Sequence, residues 1–472
     1  MKRERFASIA LAIACTVLPF AGQFYGDRSA GWLMVDFRAY YCAATAAARQ
    51  ENPYFTSSLH GCESAPIPPF YHAPRRVTVP APYPPYVLML IYPLTLLPFT
   101  PAAIAWWALL TACVVLAAYA LSRVTRQPFV VAWAVLALSL GLTTLDSGNV
   151  IPISIAALLV AALCTQLGHL YAAAFAIAVA MVEPQIALPA AVAAFIRFPT
   201  MRLALALLAG LLAASSLAAS GLARNIAYFT TVLPAHALSE VSRDNQYSLA
   251  TVLAALGVHD RQAALLGGIS YIITTVLGII VGLRLARDYL DPAFAVIIPP
   301  AFTLLGGSFV HTGEIAAAAP AALLFFARAQ SGRPILLAIL ILLAVPWMLA
   351  TSISSFLAPL FPVAYLVYVL GGRARTWALA SALASFFAIA SLFYFSAHSA
   401  GLHPATLVVR PPIDPRLAEA SWRSFVLGNS TNRPATWLLR LPTWLGLIAF
   451  VWSAVATMRG TPFPAKLARS QA

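Results

Sequence analysis

Apolar stretches close to the roughly 20 residues that cross a bilayer recur from one end of this chain to the other, separated by short arginine-rich gaps. They occupy 6–25, 101–121, 129–145, 203–220, 265–283, 335–350, 377–395 and 443–457. Each is apolar all round rather than on one face, and a helix of that kind is at home in lipid or in a deep core. Charge separates the two settings. Only 9% of the 472 residues are charged, against about 25% in an ordinary soluble domain, too few to solvate a core of this size. The expectation is an all-α polytopic membrane protein, a single transmembrane domain over 1–472 with about 12–14 transmembrane helices.

The net charge of +14 follows the same pattern. Arg123 and Arg126, Arg197 and Arg202, Arg284 and Arg287, Arg328 and Arg333, Arg373 and Arg375 fall in short gaps between apolar runs, and basic residues also crowd both ends of the chain. The remaining segments are nearly neutral. That asymmetry is the positive-inside signature and puts both termini in the cytoplasm. It accounts for the basic charge through topology, so no nucleic-acid partner is expected. The first run follows Lys2-Arg3-Glu4-Arg5 without a small-x-small cleavage site, as in an uncleaved first helix.

With the arginine-rich gaps inside, the outer segments are 26–85, 224–257, a short turn at 306–314, and 397–440. Within the first, 36–50 has the pattern of an amphipathic helix on the membrane surface, and the proline-rich stretch 66–85 returns the chain to the bilayer. Cys42 and Cys62 share this loop, where an oxidising compartment permits a disulfide; Cys15, Cys113 and Cys164 lie in apolar runs. Two hydrophobic runs, 171–181 and 186–196, are too short to cross comfortably and flank Glu183-Pro184-Gln185. Broken helices at such depth are tolerated only where protein or a water-filled cavity satisfies their backbone, and an ionisable residue there marks a functional site by default.

Several chemistries find no motif. The phosphate-binding G-x-x-x-x-G-K-[ST] loop of an ATP-driven pump is absent, as are a Cys/His zinc spacing and a G-x-S-x-G nucleophile elbow. What remains is Asp36-Phe37-Arg38-Ala39-Tyr40-Tyr41 directly after the first span, then Asn52-Pro53-Tyr54, then Tyr83-Pro84-Pro85. This pattern resembles the GT-C class of membrane glycosyltransferases. Within that class it is most similar to the bacterial polyprenyl-phosphate-mannose-dependent α-mannosyltransferases. Gly148-Asn149 matches part of that family's Gly-Gln-x-Asn element, and Pro184-Gln185 part of its Lys-Pro-Gln element, with Glu183 in place of the lysine. Asn245-Gln246-Tyr247-Ser248 and His311 fall where the family has an Asn-Ser and a late polar turn.

The resemblance implies a GT-C-like bundle in a bacterial inner membrane with an extracytoplasmic active site. It implies transfer of a hexose, mannose first among them, from a polyprenyl-phosphate carrier to a lipid or glycan acceptor. The reaction would be a single inverting displacement with no nucleotide and no divalent metal. Such a reaction needs a base for the acceptor hydroxyl and cationic or hydrogen-bonding groups around the phosphate. Asp36 is the candidate base and His311 the candidate for phosphate contact or proton transfer. Arg38, Arg243 and Arg410 suit phosphate geometry, and Tyr40, Tyr41, Tyr83, Asn149, Glu183, Gln185 and Asn245 are candidates for holding donor or acceptor.

Plainer roles compete at each position. Asp36 is also a good helix N-cap, Glu183 a partner for a nearby Arg or Asn, and the tyrosines an aromatic belt at the lipid boundary. Two other activities fit a many-helix chain with outer loops, a lipid-linked oligosaccharide ligase and a transporter or flippase of lipid-linked sugars. A transporter commonly carries paired repeats with broken helices, and no second copy of the Glu183 region is present.

Overall fold

A computed structural model describes residues 33–67, 77–243, 246–329, 332–349, 359–371, 384–389, 391–392, 411–429 and 434–459. The fold is all-α; among the described residues β-pairing is limited to two isolated bridges, Phe55 with Leu417 and Gln246 with His311. In chain order the helices are α1 (Val35–Ala48), α2 (Thr56–Ser64), α3 (Pro85–Ile91), α4 (Phe99–Thr125), α5 (Phe129–Leu136) and α6 (Ile151–Gln166). There follow α7 (Leu170–Ala180), α8 (Pro184–Arg197), α9 (Arg202–Ala227), α10 (Leu233–Glu240), α11 (Leu249–Ala255) and α12 (Asp260–Asp288). The last are α13 (Ala293–Thr303), α14 (Ala318–Arg328), α15 (Arg333–Ala344), α16 (Leu360–Leu370), α17 (Ala418–Asn429) and α18 (Pro434–Arg459).

Among the described residues, four helical stretches, Phe99–Thr125, Pro199–Glu240, Asp260–Asp288 and Trp437–Met458, are long and apolar enough to cross a membrane, and eight shorter apolar helices accompany them. The apolar runs 6–25 and most of 377–395 lie outside the described residues. Position in the bundle sorts the rest. Every residue of α13 is buried, so its all-apolar surface meets protein. Helices α9 and α12 instead present bare leucines and isoleucines outward, such as Leu203, Leu207, Leu211, Ile272 and Ile273, each more than 60% exposed, as lipid-facing helices do.

Close packing of α12 on α13 depends on Gly278 and Gly282, one helical turn apart. A Cβ on Gly278 would sit 2.7 Å from that of Phe302, and one on Gly282 would sit 3.0 Å from the carbonyl oxygen of Phe294. Small residues at this spacing let membrane helices approach backbone to backbone. At one end of the bundle α4, α6, α12 and α14 finish around a polar cavity of about 1040 Å³ bordered by Arg123, Arg126, Asp291 and Arg328. Arg328 there pairs with Asp291 at 2.8 Å and donates to the carbonyl of Val124 at 2.9 Å. Arg123, Arg126 and Arg328, from two of the arginine-rich gaps, thus come together in space around Asp291.

The first outer segment departs from its expected form. Helix α1 spans nearly the expected residues, yet Phe37, Arg38, Ala39, Tyr40, Cys42, Ala43, Ala44 and Ala46 are all buried. It is packed into the bundle rather than lying on a surface. Cys42 and Cys62 are joined in a disulfide, their Cα atoms 5.7 Å apart, tying α2 to α1. The segment 224–257 is mainly helical, comprising the end of α9, α10 and α11.

Candidate functional site

A cavity of about 270 Å³ lies where the N-terminal end of α1, the Asp146–Asn149 turn, the α7–α8 break, α10 and the His311 turn converge. The Asp146–Asn149 turn builds its first wall. Gly148 has a φ of +74°, a conformation that glycine adopts without strain. The turn places the carbonyls of Asp146 and Ser147 under the free N–H groups of α1: Met34 donates to Asp146 at 2.6 Å, and Asp36 and Phe37 donate to Ser147 at 2.8 and 3.2 Å. Trp106 holds the carbonyl of Gly148 at 2.8 Å. With backbone carbonyls satisfying the helix start, the Asp36 side chain is not used as a cap. Its carboxylate, half-buried, accepts one hydrogen bond from Asn149 Nδ2 at 3.0 Å and faces the cavity.

The second wall is the break between α7 and α8. Its backbone is satisfied by protein: Tyr86 donates to Met181 O at 2.7 Å, Tyr271 to Gln185 O at 2.9 Å and Ser154 to Ala180 O at 2.9 Å. Glu183 is buried and, among the described residues, its hydrogen-bond partners are Tyr83 and Gln185 rather than an arginine or asparagine. Tyr83 Oη donates to its Oε2 at 3.1 Å, Gln185 Nε2 donates to its Oε1, and Tyr40 and Tyr83 meet hydroxyl to hydroxyl at 3.3 Å. Gln185 also reaches Glu314 Oε1 at 3.0 Å.

His311 forms the third wall, fixed by backbone pairing of its turn with Gln246 and Tyr247. It stands between two carboxylates, with Nε2 3.2 Å from Glu240 Oε2 and Nδ1 3.4 Å from Glu314 Oε1. Burial opposes the charge on its ring, but hydrogen bonds to Glu240 and Glu314 outweigh burial and push its pKa up to about 10. Glu240 collects further donors: Trp422 Nε1 at 2.6 Å, Gln246 Nε2 at 2.8 Å and Arg243 at 3.2 Å. Arg243 stacks over Trp422 with its guanidinium 4.9 Å from the ring centroid.

Of the residues singled out from the sequence, Asp36, Tyr40, Tyr83, Asn149, Glu183, Gln185, Arg243 and His311 all border this cavity. Arg38 does not. It is buried on the opposite face of α1 and donates to the carbonyls of Cys62 and Ala65, bracing the loop. Tyr41 also turns away, donating to Leu97 O at 2.8 Å and packing edge-on against Phe99. Asn245 and Arg410 lie outside the described residues. Four lining residues that the sequence reading did not single out as site residues are Asp146, His236, Glu240 and Glu314. Their signal was there in part, since each is a rare polar group in an apolar chain.

Among the described residues the lining therefore carries five carboxylates, Asp36, Asp146, Glu183, Glu240 and Glu314, beside Arg243 and His311. His236, Glu240 and His311 bring one ligating atom each to within 4.8 Å of one another, a set that could hold a metal ion. Such a site can take up a proton from a hydroxyl at Asp36 and hold a substrate through hydrogen bonds on its other two walls. Residues 82–306 match the family model of glycosyltransferase family 87. No curated protein and no solved structure matches the chain. On an all-α frame with membrane-length apolar helices, that similarity supports a membrane glycosyltransferase.

Proposed function

We propose that the chain transfers a hexose, with mannose the leading candidate, from a polyprenyl-phosphate carrier to an acceptor hydroxyl on a lipid or glycan, at the outer face of a bacterial inner membrane. The observation carrying the reading is the Asp36 carboxylate, held by Asn149 at a cavity that also presents the side chains of Tyr40, Tyr83, Glu183, Gln185 and His311. An apolar groove of about 610 Å³ between α7, α8 and α9 shares Pro84 with that cavity. Its lining of leucine, alanine and phenylalanine suits an isoprenoid tail whose phosphate enters the polar chamber.

In this mechanism Asp36 accepts the proton of the acceptor hydroxyl as its oxygen attacks the anomeric carbon. The new C–O bond forms on the face opposite the phosphate. The old C–O bond breaks with its electron pair leaving on the lipid phosphate, so the anomeric configuration inverts. Among the described residues, Arg243 and His311, across the cavity, are positive groups available to that phosphate. Tyr40, Tyr83, Glu183 and Gln185 form a linked donor–acceptor chain against which sugar hydroxyls can be oriented.

The test is transfer of labelled mannose from polyprenyl-phosphate mannose by purified Asp36→Asn protein. The asparagine keeps the shape and can still contact Asn149, while general-base catalysis, worth about 10²–10⁴-fold, is lost. A variant that folds and retains more than a tenth of wild-type activity would refute Asp36 as the base. Movement of an intact lipid-linked glycan without bond cleavage would favour a flippase instead.

A further inference from the structure

We infer that His236, Glu240 and His311 form a binding site for one divalent transition-metal cation of the zinc type, in place of the metal-free site that the family resemblance implies. His236 and Glu240 are four residues apart on α10 and so share a face, and the His311 turn brings the third group to them. Their ligating atoms lie within 4.8 Å of one another. His236 supplies the independent observation. It is 4% exposed, its Nδ1 is buried without a hydrogen-bond partner, and its ring leans edge-on against Phe309 and within 6.2 Å of the His311 ring. An orphaned buried nitrogen costs stability unless something fills the place of its partner.

The existing distances suit an ion. Glu240 Oε2 and His311 Nε2 are 3.2 Å apart. Two donors at that separation, each about 2.1 Å from a common zinc, subtend about 100° there, near the tetrahedral angle. The other nitrogen of His311 faces Glu314 at 3.4 Å, and a carboxylate behind a ligating histidine is the usual orienting partner of a metal-bound imidazole. Trp422 fixes the other oxygen of the Glu240 carboxylate, Oε1, at 2.6 Å, while Gln246 Nε2 donates to Oε2 itself at 2.8 Å, an oxygen it would share with the ion. All three residues border the cavity, so a fourth position would open on it; a ligating imidazole carries no proton at that nitrogen, so the ion would displace the His311 proton and replace it as the positive group of this wall. Arg243 approaches Glu240 as well, but its side chain is 30% exposed and stacked on Trp422, so it can withdraw or share an anion with the ion.

Among the described residues the lining sets Arg243 and His311 beside Asp36, Asp146, Glu183, Glu240 and Glu314, and a divalent cation there would add positive charge for a phosphate. That role in phosphate binding rests on the glycosyl-transfer reading; the binding of the ion does not. The experiment therefore uses full-length, tag-free protein in detergent, titrated with Co²⁺ alone in the absence of any sugar donor. The expected result is one Co²⁺ per chain with the intense visible absorption of a tetrahedral site, abolished on adding Zn²⁺. His236→Ala and Glu314→Gln should each weaken binding at least tenfold, while His60→Ala, outside the cluster, should not. His236→Gln repeats the measurement with a side chain closer in shape if the alanine variant aggregates. Wild-type protein that takes up no Co²⁺, or a folded His236 variant that binds it undiminished, overturns the inference.

Discussion

Replacing Gly148 by alanine should destabilise the protein by roughly 2–5 kcal/mol, the sum of two separate costs. A φ of +74° costs an alanine about 1–2 kcal/mol relative to glycine. The new methyl would also lie 2.7 Å from Phe37 Cβ, well inside contact distance. Phe37 cannot retreat freely, because it is fully buried and stacked on Trp106 with centroids 5.3 Å apart. Overpacking of that kind costs about 1–3 kcal/mol. The same displacement would pull the Ser147 carbonyl from the start of α1 and move Asn149 away from Asp36. The assay is equilibrium unfolding in mixed detergent micelles, followed by tryptophan fluorescence, with Asn149→Ala as the comparison. Asn149→Ala removes two side-chain hydrogen bonds, the one it donates to Asp36 and the one its Oδ1 accepts from Ile151 N at 3.1 Å at the start of α6, without forcing Phe37 to move, so its cost should be about 1–3 kcal/mol. A Gly148→Ala protein within about 0.5 kcal/mol of wild type would refute the idea that this turn is held by close contact with α1.

Two further outcomes follow from other parts of the fold. Gly278→Leu should separate α12 from α13 and either lower the unfolding midpoint strongly or prevent accumulation of folded protein, because its Cβ alone already meets Phe302 at 2.7 Å; Gly210→Leu, with nothing within 4 Å, should be tolerated, and equal behaviour of the two would contradict the packing described. Burial, followed by the negative charge of Glu240, pushes the carboxyl of Glu419 up to about 8 from an ordinary 4.5, and its Oε2 has no partner. The folded state then holds a proton that the unfolded state releases, so this group's stabilisation is fully present below pH 4.5 and is lost as pH rises towards 8. Glu419→Gln should flatten that decline, and thermal midpoints measured from pH 5 to 9 that fall equally in both proteins would rule the assignment out.

How far the sequence foretold these features depends on whether the information was local. Charge placement and apolar length are local, and they led directly to an all-α membrane protein. Helix α1 was partly legible. Asp36 and Tyr40 are four apart and share the face that lines the cavity, Phe37 and Tyr41 share the next face against Phe99, and Arg38 and Cys42 share the one against the loop. Grouping Arg38 and Tyr41 with Asp36 by adjacency ignored this rotation of about 100° per residue. Glu240 and Glu314 were harder. Each stands alone in its own segment, and only tertiary packing brings them within hydrogen-bond reach of His311. The fate of Glu183 was likewise hidden, since its partner Tyr83 lies 100 residues earlier.

Trp422 gives the cavity a consequence for the order in which the protein can be made. The indole that anchors Glu240 belongs to α17, and its neighbour Arg423 is locked to Asp260 at 2.8 Å. Leu417 pairs with Phe55, so the same late helix also touches the first described loop. A nascent chain emerging from the ribosome can insert α4 to α14 long before that helix exists. Until residue 422 arrives, Glu240 lacks its shortest hydrogen bond and one side of the chamber is unwalled. Completion of the chamber is thus a late step in biogenesis, and a chain arrested before α17 would lack both the wall that Trp422 supplies and the last membrane-length helix, α18.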